Sequence, residues 1–154
     1  MPNIQIFPYG ITLREGGAVD VFPAAEVTFE VSKNERLTLF FIIDSGAAIS
    51  ALPKSDAPML GIDAKSGILT NISGVGGNSV IGWTHEVAVG LGKYNLKLPI
   101  VFLDHSEAPR VLGRAGLFNR YTIIFEETKH RSSFMDNSTK ESRKIAKIVD
   151  GGAS

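Results

Sequence analysis

The sequence LTLFFIIDSGAAISALP, residues 37–53, joins a strand-like apolar run to an acidic turn. Its first part, residues 39–43, is a continuous run of large apolar residues, which favours a β-strand buried on both faces. Asp44 follows this run directly. A carboxylate that leaves a buried strand needs a hydrogen bond, an ionic partner or a proton, because burying an isolated charge is costly.

The residues after Asp44 leave two interpretations open. Ser45 supplies a hydroxyl, Gly46 lacks a side chain that would keep a second backbone or a ligand away, and Ala47 keeps the turn small. The same Asp-Ser-Gly sequence also occurs in ordinary acidic turns. Ordinary turns are flanked by polar residues, however, whereas residues 47–52 are mostly apolar. This contrast favours a functional site, with a plain acidic turn as the alternative.

Length and composition are typical of a single globular domain. The chain has 154 residues, of which 44% are apolar and 21% are charged. The 16 basic and 16 acidic residues balance, so no overall charge favours nucleic acid or a membrane surface. The absence of cysteine excludes disulfides, thiol catalysis and thiolate metal sites. Because the three histidines also lack the spacing of metal ligands, we expect no metal and no other cofactor.

The N-terminal sequence and the hydropathy pattern predict a soluble, cytoplasmic protein. Residues 1–8 contain no basic segment followed by a long apolar one, as a secretory leader would. No apolar run approaches the about 18 residues that a membrane-spanning helix requires. We therefore expect neither a membrane segment nor a nucleic-acid partner.

The remaining pattern predicts an all-β domain. Residues 27–31 alternate in polarity and residues 33–36 are polar, so they predict a hairpin that delivers Asp44. Residues 10–23 contain glycines and single apolar residues and predict a loop with one short strand. For residues 4–7 the sequence leaves two interpretations open, a docked terminal strand and an unstructured start. Further β-prone runs occur at residues 84–90, 96–103 and 122–125.

A second informative stretch, LTNISGVGGNSVIGW at residues 69–83, predicts a hairpin with a glycine-rich tip. It does not fit a phosphate-binding loop, because neither a Lys-Ser or Lys-Thr pair nor a helix pattern follows it. A plain hairpin turn is the alternative to a tip that lies over a ligand. The tip residues are Gly74, Val75, Gly76, Gly77 and Asn78.

The third informative stretch is VLGRAGLFNRY, residues 111–121. Leu117, Phe118 and Tyr121 would share one face of a short helix. Residues 122–125 would then form a closing strand.

These three stretches, in this order, resemble the retropepsin-like aspartic proteases, the single-lobe family of retroviral type. Residues 41–47, FIIDSGA, resemble the hydrophobic-hydrophobic-Asp-(Thr/Ser)-Gly-Ala signature of that family. The hairpin of residues 69–83 resembles the glycine-rich flap, and residues 111–114, VLGR, resemble a hydrophobic-hydrophobic-Gly-Arg element that precedes a short helix. Over residues 24–126 the resemblance implies an all-β fold: a closed β-barrel, half of an acid protease, with one short C-terminal helix, in a symmetric homodimer.

The resemblance also implies the chemistry. In acid proteases two carboxylates share a proton and activate a water that attacks a peptide bond. The chain has one Asp-Ser-Gly sequence and no internal repeat. Two copies would therefore meet on a two-fold axis, and each would contribute Asp44.

The remaining roles follow from the resemblance in the same way. Ser45 would hydrogen-bond across the axis, and Gly46 would leave its carbonyl free for the substrate backbone. The flap, residues 74–78, would bind an extended peptide as an added strand. Structural support for the catalytic loop would come from Ala47, Gly113 and Arg114.

One departure from the family pattern concerns Arg114. Retropepsins often place an acid shortly after the signature to pair with this arginine, but Ala48 and Ile49 occupy that place here. Either Arg114 has another partner or the base of the dimer is built differently. Residues 125–127 and 4–7 are the segments that we expect at the dimer interface.

The chain would thus divide into three segments: residues 1–23, an N-terminal strand or loop; residues 24–127, the protease domain; and residues 128–154, a polar, basic tail or linker. The last segment has six Lys/Arg against three acids, and a short helix at residues 140–148 is the alternative there. The predicted function is a homodimeric aspartic endopeptidase that cuts a peptide or protein in extended conformation. The alternatives are a catalytically weak peptide-binding or dimerisation module of the same fold and an unrelated β-rich binding domain.

Overall fold

A computed structural model describes residues 3–74 and 76–152 of the chain. The α-helix in this part is α1 (Lys140–Gly151). Short 3-10 helices lie at Lys54–Asp56, Pro58–Leu60, Ala64–Ser66 and Glu127–Lys129. The strands are β1 (Ile4–Pro8), β2 (Gly10–Leu13), β3 (Val19–Phe22), β4 (Ala24–Ser32), β5 (Glu35–Ile43), β6 (Ser50–Pro53), β7 (Ile68–Ser73), β8 (Ser79–Leu91), β9 (Tyr94–Leu103), β10 (Val111–Leu112), β11 (Tyr121–Glu126) and β12 (Arg131–Asp136).

Seven strands form one sheet in the order β4-β5-β10-β6-β9-β8-β7. Strand β4 also pairs with β8, which brings the two sides of this sheet together over the core. The predicted β4–β5 hairpin is confirmed, with Thr28 opposite Thr38. Phe29, Phe41 and Phe102 fill the core and are almost completely buried. In the described residues no helix has both the length and the apolar character needed to cross a membrane.

Strand β5 has one buried face, so the prediction of a strand buried on both faces is wrong. Phe41 and Ile43 point into the core, whereas Phe40, which precedes them, is 63% exposed, and Ile42 between them is half-buried. The uninterrupted apolar sequence hid this alternation, because apolar residues occupy both faces of the strand. The face that carries Phe40 and Ile42 continues into Asp44.

A second sheet has three strands in the order β1-β12-β11. A strand at residues 4–7 is therefore confirmed, and its pairing partner is β12 of the same chain, with Ile4 opposite Met135. Residues 131–136 differ from the expected tail or linker, since they form the central strand of this sheet. The helix α1 agrees with the alternative expectation of a short helix at residues 140–148. Thr139 caps the helix by accepting a hydrogen bond from the backbone N–H of Ser142. The division into segments 1–23, 24–127 and 128–154 remains a prediction.

Two further segments differ from expectation. Residues 10–22 form the two-stranded antiparallel hairpin β2–β3 rather than a loop with one strand. Instead of the predicted helix at residues 117–121, the chain forms consecutive turns at residues 115–120, and Tyr121 begins β11. The left-handed backbone of Gly116, with φ of 75°, stops a regular helix from starting there. Leu117 and Tyr121 are nevertheless buried in the core, and the closing strand β11 follows as predicted.

Candidate active site

Asp44 lies where β5 ends, at the edge of the core. Its backbone N–H donates to the carbonyl oxygen of Leu112 at 3.0 Å, which fixes the start of the loop against β10. Its Oδ1 atom accepts a hydrogen bond of 2.8 Å from the backbone N–H of Gly46. The side chain is half-buried, and in the described residues its Oδ2 atom makes no hydrogen bond. The carboxylate is thus oriented by one oxygen and open at the other.

Gly46 permits this arrangement, since a Cβ built on it would lie 3.1 Å from Asp44 Oδ1. Ala47 closes the turn by donating its backbone N–H to the Asp44 carbonyl at 3.3 Å. Ser45 is exposed, so its hydroxyl is free to meet another molecule. The acid therefore sits in a tight turn whose side chains leave one flank accessible.

The segment after β10 passes directly behind this loop. A Cβ on Gly113 would lie 2.3 Å from the carbonyl carbon of Ile49, a distance that no side chain could adopt. The backbone N–H of Gly113 donates to Ser50 Oγ at 3.0 Å, and Ser50 is completely buried. Glycine is required at position 113 because two backbones touch there.

Arg114 binds the loop at several points. Its Nη1 atom donates to the carbonyl oxygen of Ser45 at 2.8 Å. Its backbone N–H donates to the carbonyl of Ala47 at 2.9 Å, and Ala115 repeats this contact with Ala48 at 3.0 Å. The sequence lacks the acid that often pairs with this arginine in retropepsins, which left open whether Arg114 has another partner. The structure shows such a partner, the backbone carbonyl of Ser45.

The sheet next to Asp44 is apolar. Strand β10 lies between β5 and β6, with Val111 opposite Ile42 on one side and Ala51 on the other. Paired residues share a sheet face, and Ile42 shares its face with Asp44 two positions later. An extended chain that approached Asp44 over this face would therefore meet aliphatic side chains.

A partly buried ion pair also contacts the strand that carries Asp44. The Arg110 guanidinium contacts both carboxylate oxygens of the buried Asp56, with Nε to Oδ2 at 2.6 Å and Nη2 to Oδ1 at 3.1 Å. This bond to Asp56 raises the pKa of the Arg110 guanidinium. The Arg110 carbonyl accepts the N–H of Ile42 at 2.9 Å, which ties the pair to the strand that carries Asp44.

The glycine-rich tip joins β7 to β8, as predicted. The Gly74 N–H donates to the Asn78 carbonyl at 3.1 Å, and Gly76 and Gly77 adopt positive φ of 101° and 80°. All four of these residues are exposed, and none of their hydrogen bonds in the described part of the chain reaches the Asp44 loop. Val75 lies outside the described residues.

The structure therefore brings together most of the predicted site. Asp44, Ser45, Gly46 and Ala47 form one loop, and Gly113 and Arg114 lie against it. The tip residues 74 and 76–78 belong to a separate hairpin. Sequence reasoning missed two contributors, Ser50 and the Asp56–Arg110 pair. An isolated serine or a distant acid carries no local pattern, and only the fold shows what each of them contacts.

Across the described residues, no group of three or more His, Asp or Glu side chains could hold a metal ion. The acidic group of the loop is the Asp44 carboxylate. A carboxylate with one oxygen held by a backbone N–H and the other open suits the exchange of a proton with water or substrate.

Comparisons with known proteins agree with this arrangement. The model of a protein family described as aspartyl protease matches residues 27–115, the greater part of the chain. A retropepsin-like aspartic protease from Rickettsia conorii has a similar structure, with a TM-score of 0.55 and 19% identity, over 84% of this chain and 97% of that chain. No curated protein matches the sequence. The fold is thus mostly β and retropepsin-like, as the sequence predicts; the closed barrel and the homodimer remain predictions.

Proposed function

Because this chain belongs to the aspartyl protease family, we propose that it is an aspartic endopeptidase that works as a homodimer. Two Asp44 side chains, one from each copy, would flank the attacking water. One carboxylate would take a proton from this water while the other donates a proton to the scissile carbonyl. The observation that carries this proposal is the geometry of Asp44, held through Oδ1 by Gly46 and open at Oδ2.

A second copy is needed because one chain supplies only one Asp-Ser-Gly acid. The chain contains one Asp-Ser-Gly sequence, and the mechanism needs two carboxylates in unlike protonation states. Strand β11 supports the proposal, because in the described residues it pairs with β12 on one side and is an edge strand on the other. An edge strand offers unpaired backbone groups to another chain. Residues 125–127, with Phe125 at 40% exposure, and residues 4–7 are the proposed contact segments.

The loop residues would take distinct roles. Ser45 would use its exposed hydroxyl to bond to the loop of the other copy, and Gly46 would present its carbonyl to the substrate. The roles of Ala47, Gly113 and Arg114 would be structural: their hydrogen bonds and close contacts hold the loop in shape. None of them would touch the reacting atoms.

The substrate would be a polypeptide in extended conformation. Residues 74–78, the proposed flap, would cover it and bind its backbone as an added strand. Below it, the half-buried side chains of Ile42 and Val111 offer aliphatic surface beside Asp44. We therefore propose that apolar side chains flank the scissile bond.

The test is cleavage of an unfolded protein between about pH 4 and 7, the range in which a coupled pair of carboxylates could share a proton. We expect the parent protein to release fragments, detected by mass spectrometry, with apolar residues at the cut sites. The Asp44→Asn variant should remain dimeric and folded but produce none. Cleavage that persists in Asp44→Asn would refute the proposal. A dimeric parent that cuts nothing would point instead to a peptide-binding module.

A further inference from the structure

The hairpin formed by β2 and β3 presents an apolar face that its own chain leaves uncovered. Ile11 pairs with Val21 and Leu13 pairs with Val19, so all four side chains lie on one face, here called the aliphatic face. Leu13 is 75% exposed, Ile11 69% and Val19 55%, whereas Val21, the nearest of the four to β4 in sequence, is half-buried. In a folded domain such a run of aliphatic residues on one face of a strand pair normally meets the core.

The opposite face of the hairpin is the one that anchors it. A Cβ on Gly10 would lie 2.9 Å from the ring of Phe22 and 3.2 Å from the Cβ of Ala24. The Phe22 ring thus covers Gly10 beside the first residues of β4. The other residue pair on this face is polar, with Thr12 opposite Asp20. The hairpin therefore turns its aliphatic residues away from the body. A two-stranded hairpin that buries little apolar surface is only marginally stable in water, so a partner that covers the aliphatic face would stabilise it.

The hairpin starts beside the candidate active site. Pro23, the residue after β3, accepts a hydrogen bond of 2.9 Å from the backbone N–H of Ile43, the neighbour of Asp44. Strand β4 begins with Ala24 opposite Ile42 and runs antiparallel to β5. Followed back from Ala24, the chain continues past the end of the sheet at which Asp44 lies. This is the end to which the proposed function brings a second copy.

We propose that the aliphatic face packs against the second copy of this chain and forms part of the dimer interface around the two Asp44 residues. This inference rests on the proposed function. A face of four aliphatic side chains matches the apolar centre of a permanent interface. A membrane is a poor occupant, because Arg14, the cation of the hairpin, is ion-paired with Asp20 and leaves no free positive charge for anionic lipids.

The test compares Leu13→Lys with Thr12→Lys, which places the same charge one residue away on the opposite face. Self-association is measured by sedimentation velocity over a dilution series, and folding by circular dichroism. We expect Leu13→Lys to weaken dimerisation at least tenfold, since a charge would have to enter an apolar contact. Thr12→Lys should dimerise like the parent. Val19→Lys, on the aliphatic face opposite Leu13, should repeat the effect of Leu13→Lys.

Three outcomes would overturn the inference. If Leu13→Lys and Val19→Lys dimerise as well as Thr12→Lys, the aliphatic face lies outside the interface, while the proposed function stands. If they dimerise normally but raise KM for a peptide substrate, the face binds substrate instead. If the parent is a monomer at every concentration, the proposed function fails together with this inference.

Discussion

The buried hydroxyl of Ser50 should contribute measurably to stability, because it is the hydrogen-bond partner of the Gly113 N–H behind the Asp44 loop. Both residues are buried, so water cannot replace the hydroxyl once it is removed. Ser50→Ala keeps the size of the side chain nearly unchanged and deletes only this acceptor. The variant therefore isolates one hydrogen bond that no sequence pattern predicts.

The expected loss follows from the cost of leaving a buried donor unsatisfied, which is about 1–3 kcal/mol. For a domain of this length each kcal/mol lowers Tm by about 2–4 °C. The free energy of unfolding of Ser50→Ala should thus fall by about 1–3 kcal/mol and its Tm by about 2–12 °C.

The chain offers a matched control in Ser132. Ser132 is also completely buried, but its Oγ atom has no hydrogen-bond partner in the described residues. Ser132→Ala should therefore be neutral or slightly stabilising, since it removes a buried polar group that nothing satisfies. Both variants are compared with the parent by urea unfolding at one protomer concentration, because any self-association makes stability concentration-dependent. Equal losses for the two substitutions would refute the reasoning.

Two further predictions concern the loop contact and the second sheet. Gly113→Ala should destabilise the protein by about 1–3 kcal/mol, because the new Cβ would overlap the Ile49 backbone. Gly74→Ala is the control, since a Cβ at this position would have no atom within 4 Å. Similar urea midpoints for the two variants would contradict the prediction. The Arg131 and Lys129 side chains lower the pKa of Glu126 from 4.5 to about 2. Ionised Glu126 therefore stabilises the fold fully above its unfolded pKa, and this contribution is lost as the pH falls towards 2. Urea unfolding at several pH values should show that Glu126→Gln is less stable than the parent at pH 7 and loses less on acidification; parallel curves would argue against it.

The parts of the fold that the sequence predicts are those with strong local patterns. Alternating polarity and a polar turn predict the β4–β5 hairpin, and the clustered glycines of residues 74–78 predict the turn between β7 and β8. Asp44 stood out because an acid directly follows an apolar strand. In each case the residues that make the structure are neighbours in the chain.

The parts that it does not predict depend on distant partners. Strand β12 contains Ser132 and Ser133, which suggest a loop, but β1 and β11 on either side bury them. The spacing of Leu117 and Tyr121 fits a helix, yet the residues between them form turns and Tyr121 already belongs to β11. In the same way, Ser50 becomes informative only when the fold places it under Gly113.

The position of β12 at the centre of its sheet has a consequence for folding kinetics. Strand β1 is synthesised before the other described strands, but its pairing partner β12 is the last of them in sequence, so their association must close a very long loop. Contacts between distant residues slow folding. Until β12 arrives, β1 and β11 both have unpaired edges, and such edges are templates for aggregation. We therefore expect substitutions in β12 to lower the yield of refolding, although this strand contains none of the candidate site residues.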